Sequence, residues 1–199
     1  MVKNIVLDIG NVLVDFNIKE FLAAKGYDGV MIKRLLKSTV MSPYWDMFER
    51  NLLSEDEVLN SFASLDPEIK DDLFNAFSKI PGLLTSRDYA IPFVKKLKED
   101  GYRVYYLSNY SKKAYDECRD SVAFMEYTDG GLLSFQAGVT KPEEKIYTMF
   151  LDKYGLKPEE CLFVDDTPVN VEVAEKLGFV GVVFETYEKL LSDLKDILS

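Results

Sequence analysis

Ile5-Val6-Leu7-Asp8-Ile9-Gly10-Asn11-Val12-Leu13-Val14 decides how this chain is read. Its apolar residues carry a single carboxylate, Asp8, to a Gly-Asn pair. A short apolar run that stops at a turn signal reads as a buried strand, here residues 3–7. In an open α/β sheet the chemistry gathers just past the carboxyl ends of the strands, so Asp8 stands where a site would form. An Asp in that position also serves as a simple cap, and what the other strands carry decides between the two.

Further strand candidates are residues 102–107, 132–135, 161–164 and 180–184. Amphipathic segments separate them at 89–100, 112–122, 143–154, 169–177 and 187–198. Strands alternating with helices predict a parallel sheet covered on both faces. Residues 16–84 break the alternation and read as consecutive helices at 18–25, 29–37, 43–50, 55–65 and 67–80. Ser54-Glu55-Asp56-Glu57 has the form of a capping box and marks a helix start. The pattern predicts an α/β core made of 1–15 and 85–199, with an inserted all-helical unit at 16–84. Such an insert leaves just after Asp8 and would hang over the sheet edge as a lid. Within it, Trp45, Phe48 and Phe62 read as packing residues, and Tyr44, Trp45, Phe48 and Glu49 are candidates to face the site.

Composition narrows the chemistry. Net charge is −10 and histidine is absent. The charge disfavours nucleic acid, whose phosphates need a Lys/Arg footprint. Without histidine there is no Ser-His or Cys-His nucleophile pair, and a zinc site is disfavoured. Proton transfer falls to carboxylates, Lys, Tyr or water. An anionic substrate would meet an unfavourable mean field unless a divalent cation and a local lysine overcame it. No window is apolar enough for a membrane span, and Lys3 and Asp8 interrupt the first apolar run, so neither an anchor nor a signal peptide is expected. Cys118 and Cys161 lack paired spacing and read as reduced thiols of a cytoplasmic protein. Nothing in the pattern fixes an oligomeric state.

The other strands also end in polar groups. The second leads into Ser108-Asn109, the third is followed by Gly138-Val139-Thr140-Lys141-Pro142, and the fourth delivers Asp165-Asp166. Each has a structural alternative: Ser108-Asn109 as a helix cap, and Lys141 as a solvated lysine before a helix starting at Pro142 or Glu143. Adjacent carboxylates after a buried strand are harder to dismiss, because they repel unless a cation joins them. Attack on phosphorus unites all four. Asp8 would be the nucleophile. Asp8, a loop carbonyl and Asp165 would supply the oxygen ligands that Mg²⁺ prefers. Ser108, Asn109 and Lys141 would bind the phosphoryl oxygens.

With these motifs in chain order, the sequence resembles the haloacid dehalogenase superfamily of phosphatases and related hydrolases over essentially its full length. The match is Asp8 in the first motif, Ser108 in the second, Lys141 in the third and Asp165-Asp166 in the fourth. The 16–84 insert falls where that superfamily places a helical cap. The resemblance implies a Rossmann-like core, an Asp8 nucleophile, and one Mg²⁺ on Asp8, the Gly10 carbonyl and Asp165. It also implies that Asp166 orients Lys141 or a metal-bound water without ligating the metal.

The usual first motif is D-x-D-G-T, whereas this chain has Asp8-Ile9-Gly10-Asn11-Val12. The second aspartate, the family's general acid and base, is Gly10 here. Asn11 replaces the loop glycine and tolerates positive φ better than most residues. Acid–base assistance is worth roughly 10²–10⁴-fold, so its loss weighs most on poor alcohol leaving groups. A sugar 1-phosphate or acyl phosphate would suffer less, and the Gly-Asn-Val form recurs in a branch of sugar-1-phosphatase-like proteins. Asp15 is a candidate substitute acid, although its position suits a hinge. The leading expectation is a Mg²⁺-dependent phosphatase acting on a small phosphorylated metabolite. Two others stand beside it: a phosphate-ester binding or regulatory protein that has lost turnover, suggested by Gly10, and a metal-free dehalogenase, disfavoured by Asp165-Asp166.

Overall fold

All four residues of β1 (Asn4–Leu7) are buried, as the centre of a parallel sheet requires. The computed structural model describes residues 1–198. After β1 the chain forms β2 (Val14–Phe16), then α1 (Ile18–Ala24), α2 (Gly29–Ser38), α3 (Pro43–Glu49), α4 (Glu55–Leu65) and α5 (Lys70–Phe77). β3 (Leu84–Ser86) and α6 (Ala90–Glu99) lead back to β4 (Arg103–Ser108), α7 (Lys112–Glu117) and β5 (Gly130–Leu133). The remainder is α8 (Ser134–Ala137), α9 (Glu144–Tyr154), β6 (Cys161–Asp165), α10 (Pro168–Lys176), β7 (Val180–Val183) and α11 (Tyr187–Leu198).

The main sheet has the order β5-β4-β1-β6-β7, and every pairing in it is parallel. Side chains alternate across a strand, so each strand feeds two cores. Val6, Leu107 and Phe163 pack with Ile146, Phe150 and Val171 of α9 and α10. Ile5, Leu7, Val104 and Leu162 pack with Phe93, Leu97 and Leu190 of α6 and α11. Strand order reverses beside β1, and at such a switch point neighbouring connections part and open a crevice at the carboxyl edge.

Several predicted boundaries shift. The expected strand at 132–135 begins at Gly130 and ends at Leu133, where Ser134 opens α8. Gly131 belongs to the strand because its partner across the ladder, Tyr106, lies against it; a Cβ on Gly131 would sit 2.2 Å from that ring. The helix expected over 112–122 stops at Glu117 and continues as 3₁₀ turns through Tyr127, broken at Val122. The helix expected over 67–80 opens with a 3₁₀ turn at Pro67–Ile69 and ends at Phe77. Ser54 and Glu57 form the reciprocal capping box of α4.

The two-stranded ribbon β2–β3 was not among the predicted elements. It pairs Phe16 with Leu84 and Val14 with Ser86, so the chain enters and leaves the helical segment side by side. An ion pair from Arg87 Nε to Asp15 Oδ1, at 2.8 Å, braces it. Trp45 packs 6.0 Å from Phe16 and 6.2 Å from Phe62 between ring centroids, joining α3, α4 and the ribbon in one aromatic cluster. No helix among the described residues is long and apolar enough to cross a membrane.

Candidate functional site

β1 ends at Leu7, and the Asp8 N–H donates to the Val164 carbonyl, which carries strand pairing one residue further and fixes Asp8 beside the end of β6. The turn that follows needs a left-handed residue, and Asn11 supplies it with φ of +54°. Asp8, Asp165 and Asp166 each offer a carboxylate oxygen, and these oxygens lie within 4.8 Å of one another. The convergence expected from the sequence is therefore present.

Lys141 holds it together. Its Nζ lies 2.7 Å from Asp8 Oδ1 and 2.5 Å from Asp165 Oδ2, and its side chain is 1% exposed. Burial opposes the lysine charge, but the two carboxylates more than offset it and hold its pKa above the ordinary value. For Asp8, burial is the largest influence and raises the pKa to about 7, with Lys141 and the Ser108 hydroxyl opposing and Asp165 adding to it. A divalent cation would reverse that balance.

The hydrogen-bond network shows how the expected site residues are held. Asp165 was expected to ligate metal and Asp166 to orient Lys141 or a metal-bound water. Asp165 is the one that grips Lys141. Its remaining lone pairs accept from the Thr167 N–H at 2.8 Å and from Asn170 Nδ2 at 3.0 and 3.1 Å. Asp166 is less buried and lines the cavity, and its Oδ2 accepts from Asn11 Nδ2 at 2.9 Å. Asn109 was expected on phosphate. It lines the cavity beside Asp8, and its Nδ2 donates to the Lys141 carbonyl at 3.0 Å while its Oδ1 accepts from the Lys141 N–H at 2.7 Å. It positions the lysine. Ser108 is 1% exposed at the end of β4, as expected for a group close to Asp8.

A cavity of about 180 Å³ opens over these groups. Asp8, Gly10, Asn11 and Asp166 line its polar floor, and Phe16, Trp45, Phe48 and Leu83 form an apolar wall. Glu49 stands on that wall, with Oε1 accepting from Trp45 Nε1 at 3.0 Å. Of the four expected cap candidates, Trp45, Phe48 and Glu49 reach the cavity, while Tyr44 is not part of its lining. Asp15 faces a different depression, with Arg87 and Tyr89, and is no substitute acid for this site. Sequence reasoning assigned no role to Asn11 or Asn170 as orienting groups. Their signal was local: each lies within five residues of a site carboxylate.

The cavity and its carboxylates can be set beside known proteins. The chain is 27% identical over 174 residues to flavin mononucleotide hydrolase 1 of Arabidopsis thaliana, covering 85% of this chain and 67% of that one. It is 28% identical over 192 residues to D-ribitol-5-phosphate phosphatase of Bacteroides thetaiotaomicron, covering 90% of each. The fold matches that of a haloacid dehalogenase family enzyme from Bacteroides thetaiotaomicron, solved with magnesium and inorganic phosphate, at a TM-score of 0.74 and 22% identity over 96% of this chain and 99% of that one. The family model for haloacid dehalogenase-like hydrolases matches residues 2–178, and with the four strand-end motifs converging as described, the chain belongs to that family.

Proposed function

We propose that the protein is a Mg²⁺-dependent phosphomonoesterase acting on a small phosphorylated metabolite through an aspartyl-phosphate on Asp8. One observation carries the proposal: three carboxylates with oxygens within 4.8 Å of one another, two of them, Asp8 and Asp166, lining the cavity, with Lys141 paired to the nucleophile. The donors are all hard oxygens, which fits Mg²⁺. Asp8 and Asp166 would hold the ion, with the Gly10 carbonyl as a third protein ligand, while Asp165 keeps Lys141 in place. The ion would neutralise phosphoryl oxygens and fix the group in line with Asp8. The named activities of the two relatives, on flavin mononucleotide and on ribitol 5-phosphate, point to the same class of ester.

Asp8 attacks phosphorus, forming an acyl phosphate as the bond to the leaving oxygen breaks. Lys141 balances charge on the phosphoryl oxygens, and Ser108 orients one of them. Water then attacks phosphorus, releasing phosphate and restoring the carboxylate. Residues 16–84 act as the cap, with the β2–β3 ribbon as its stem and the aromatic wall receiving the alcohol. A sugar 1-phosphate remains one substrate within this class. A screen of phosphate release from sugar 1-phosphates, sugar 6-phosphates and alkyl and aryl phosphates, with Mg²⁺ and with EDTA, tests it. Release is expected only with Mg²⁺, and Asp8→Asn is expected to lower it by on the order of 10⁴-fold. Unchanged release by Asp8→Asn would overturn the proposal.

Gly10 favours a second reading, a phosphate-ester binding protein without turnover. Mg²⁺-dependent binding by calorimetry, with no release of phosphate from any ester, would select it.

A further inference from the structure

The family's usual acid–base carboxylate is missing at position 10, and the structure leaves its place open. A Cβ built on Gly10 meets no atom within 4 Å, and Gly10 lines the cavity beside Asp8. Close packing therefore does not explain this glycine. Another carboxylate enters the same cavity from α3. The segment that carries Glu49 is seated there by several bonds, and the Glu49 carboxylate itself accepts from Trp45 Nε1. The Glu49 carbonyl accepts from Ser134 Oγ at 2.7 Å. One turn earlier, Asp46 Oδ1 accepts from Thr140 Oγ1 at 2.7 Å. Arg50 lies 2.6 Å from Glu143 Oε1. Thr140 and Glu143 flank Lys141, so the segment that carries the lysine also seats the helix that carries Glu49.

We propose that Glu49 is the general acid and base of this enzyme, reaching from the helical segment to do the work that Gly10 cannot. The inference rests on the phosphatase reading above. As Asp8 attacks, the bond from phosphorus to the leaving oxygen breaks and protonated Glu49 gives that oxygen its proton. The ionised Glu49 then takes a proton from the water that attacks the aspartyl-phosphate. Phosphate leaves, Asp8 is a carboxylate again, and Glu49 is protonated for the next turnover. The sum is ester plus water to alcohol plus phosphate.

The electrostatic surroundings suit the role. Burial raises Glu49 most, the Trp45 N–H opposes, Asp46 on its own helix raises it, and across the cavity Lys141 lowers and Asp8 raises it; the result is about 7. A group that titrates near neutrality can both give and take a proton. A proton donor at this position would also extend the substrate range to ordinary alcohol leaving groups, which Gly10 alone disfavours.

The test is Glu49→Gln assayed with Mg²⁺ on an alkyl phosphate and on p-nitrophenyl phosphate, whose leaving group needs little protonation. Glutamine keeps the oxygen that Trp45 bonds, so the fold is expected to survive. The expected result is a loss of roughly 10²-fold or more in kcat/KM on the alkyl ester and under about threefold on the aryl ester. Gly10→Asp in the Glu49→Gln background is expected to recover at least about tenfold on the alkyl ester. Trp45 is the single tryptophan, so its fluorescence is expected to titrate near pH 7 in the wild type and not in Glu49→Gln. Equal losses on both esters, or no loss on either, would overturn the role of Glu49 while leaving the phosphatase reading intact. Failure of the wild type to release phosphate from the aryl ester would overturn both.

Discussion

The carboxyl edge of the sheet and the helical segment above it hold their charges in different ways. At the edge, Lys141 and Asp165 are 1% and 0% exposed and bonded to each other, with Asp8, Asn109 and Asn170 completing the network. In α3, Asp46 and Arg50 are 50% and 22% exposed and reach the core through single polar contacts to Thr140 and Glu143. Breaking a buried pair strands an uncompensated charge and costs about 3–5 kcal/mol, whereas an ordinary hydrogen bond is worth about 1 kcal/mol. The difference teaches how labour is divided. The edge is a preorganised catalyst that cannot rearrange cheaply. The polar contacts that seat α3 are ones that a few kcal/mol can undo.

Lys141→Met breaks the comparison at its stronger end. It leaves Asp8 and Asp165 facing each other without a cation. Urea unfolding in EDTA is expected to show a loss of about 3–5 kcal/mol, and phosphate release a fall of roughly 10²–10³-fold. Full stability in EDTA would mean the edge is no more committed than α3.

A smaller effect concerns the proton on Glu49. Its ordinary pKa is 4.5 and its folded value about 7, so between these the folded chain keeps a proton that the unfolded chain has lost. Stability contributed by this group is therefore greatest below about pH 4.5 and declines as pH rises to about 7. Metal-free wild type is expected to lose on the order of 2 kcal/mol relative to Glu49→Gln over that interval. Parallel stability–pH curves would contradict this.

Asn11→Ala sharpens the comparison within the edge. Asn11 orients Asp166 from a left-handed turn, and losing such a partner typically costs ~10-fold or more in metal affinity. Isothermal titration with Mg²⁺ reads it directly. The smallest effect is expected at the seat. Thr140→Val removes the bond to Asp46, costs about 1 kcal/mol, and should change KM more than kcat. A collapse of kcat would instead show that the seat aligns Lys141.

How much was legible differs between the same two regions. Asp8, Ser108, Lys141 and Asp165-Asp166 could be read because each sits at or just beyond a strand end, and parallel strands carry their carboxyl ends to one edge. That Asp165, and not Asp166, bonds Lys141 could not be read. Adjacent residues of an extended chain point to opposite sides, and which one meets Lys141 depends on strand registration. Glu49 was only one of four cap candidates. Which face of α3 meets the cavity depends on how that helix crosses residues about 90 positions away, such as Thr140. The β2–β3 ribbon was invisible because three-residue strands carry too few alternations to signal a period.

The sequence alone determined the parallel sheet, the order of its chemical groups and the absence of a second acid at position 10, because these follow from local patterning and residue identity. Tertiary structure alone decided which carboxylate grips the lysine, that Asn109 bonds the backbone of that lysine, and that a glutamate from a distant helix lines the cavity that Gly10 also lines. These are contacts between segments far apart in the chain. Packing geometry sets them, and no local periodicity encodes it.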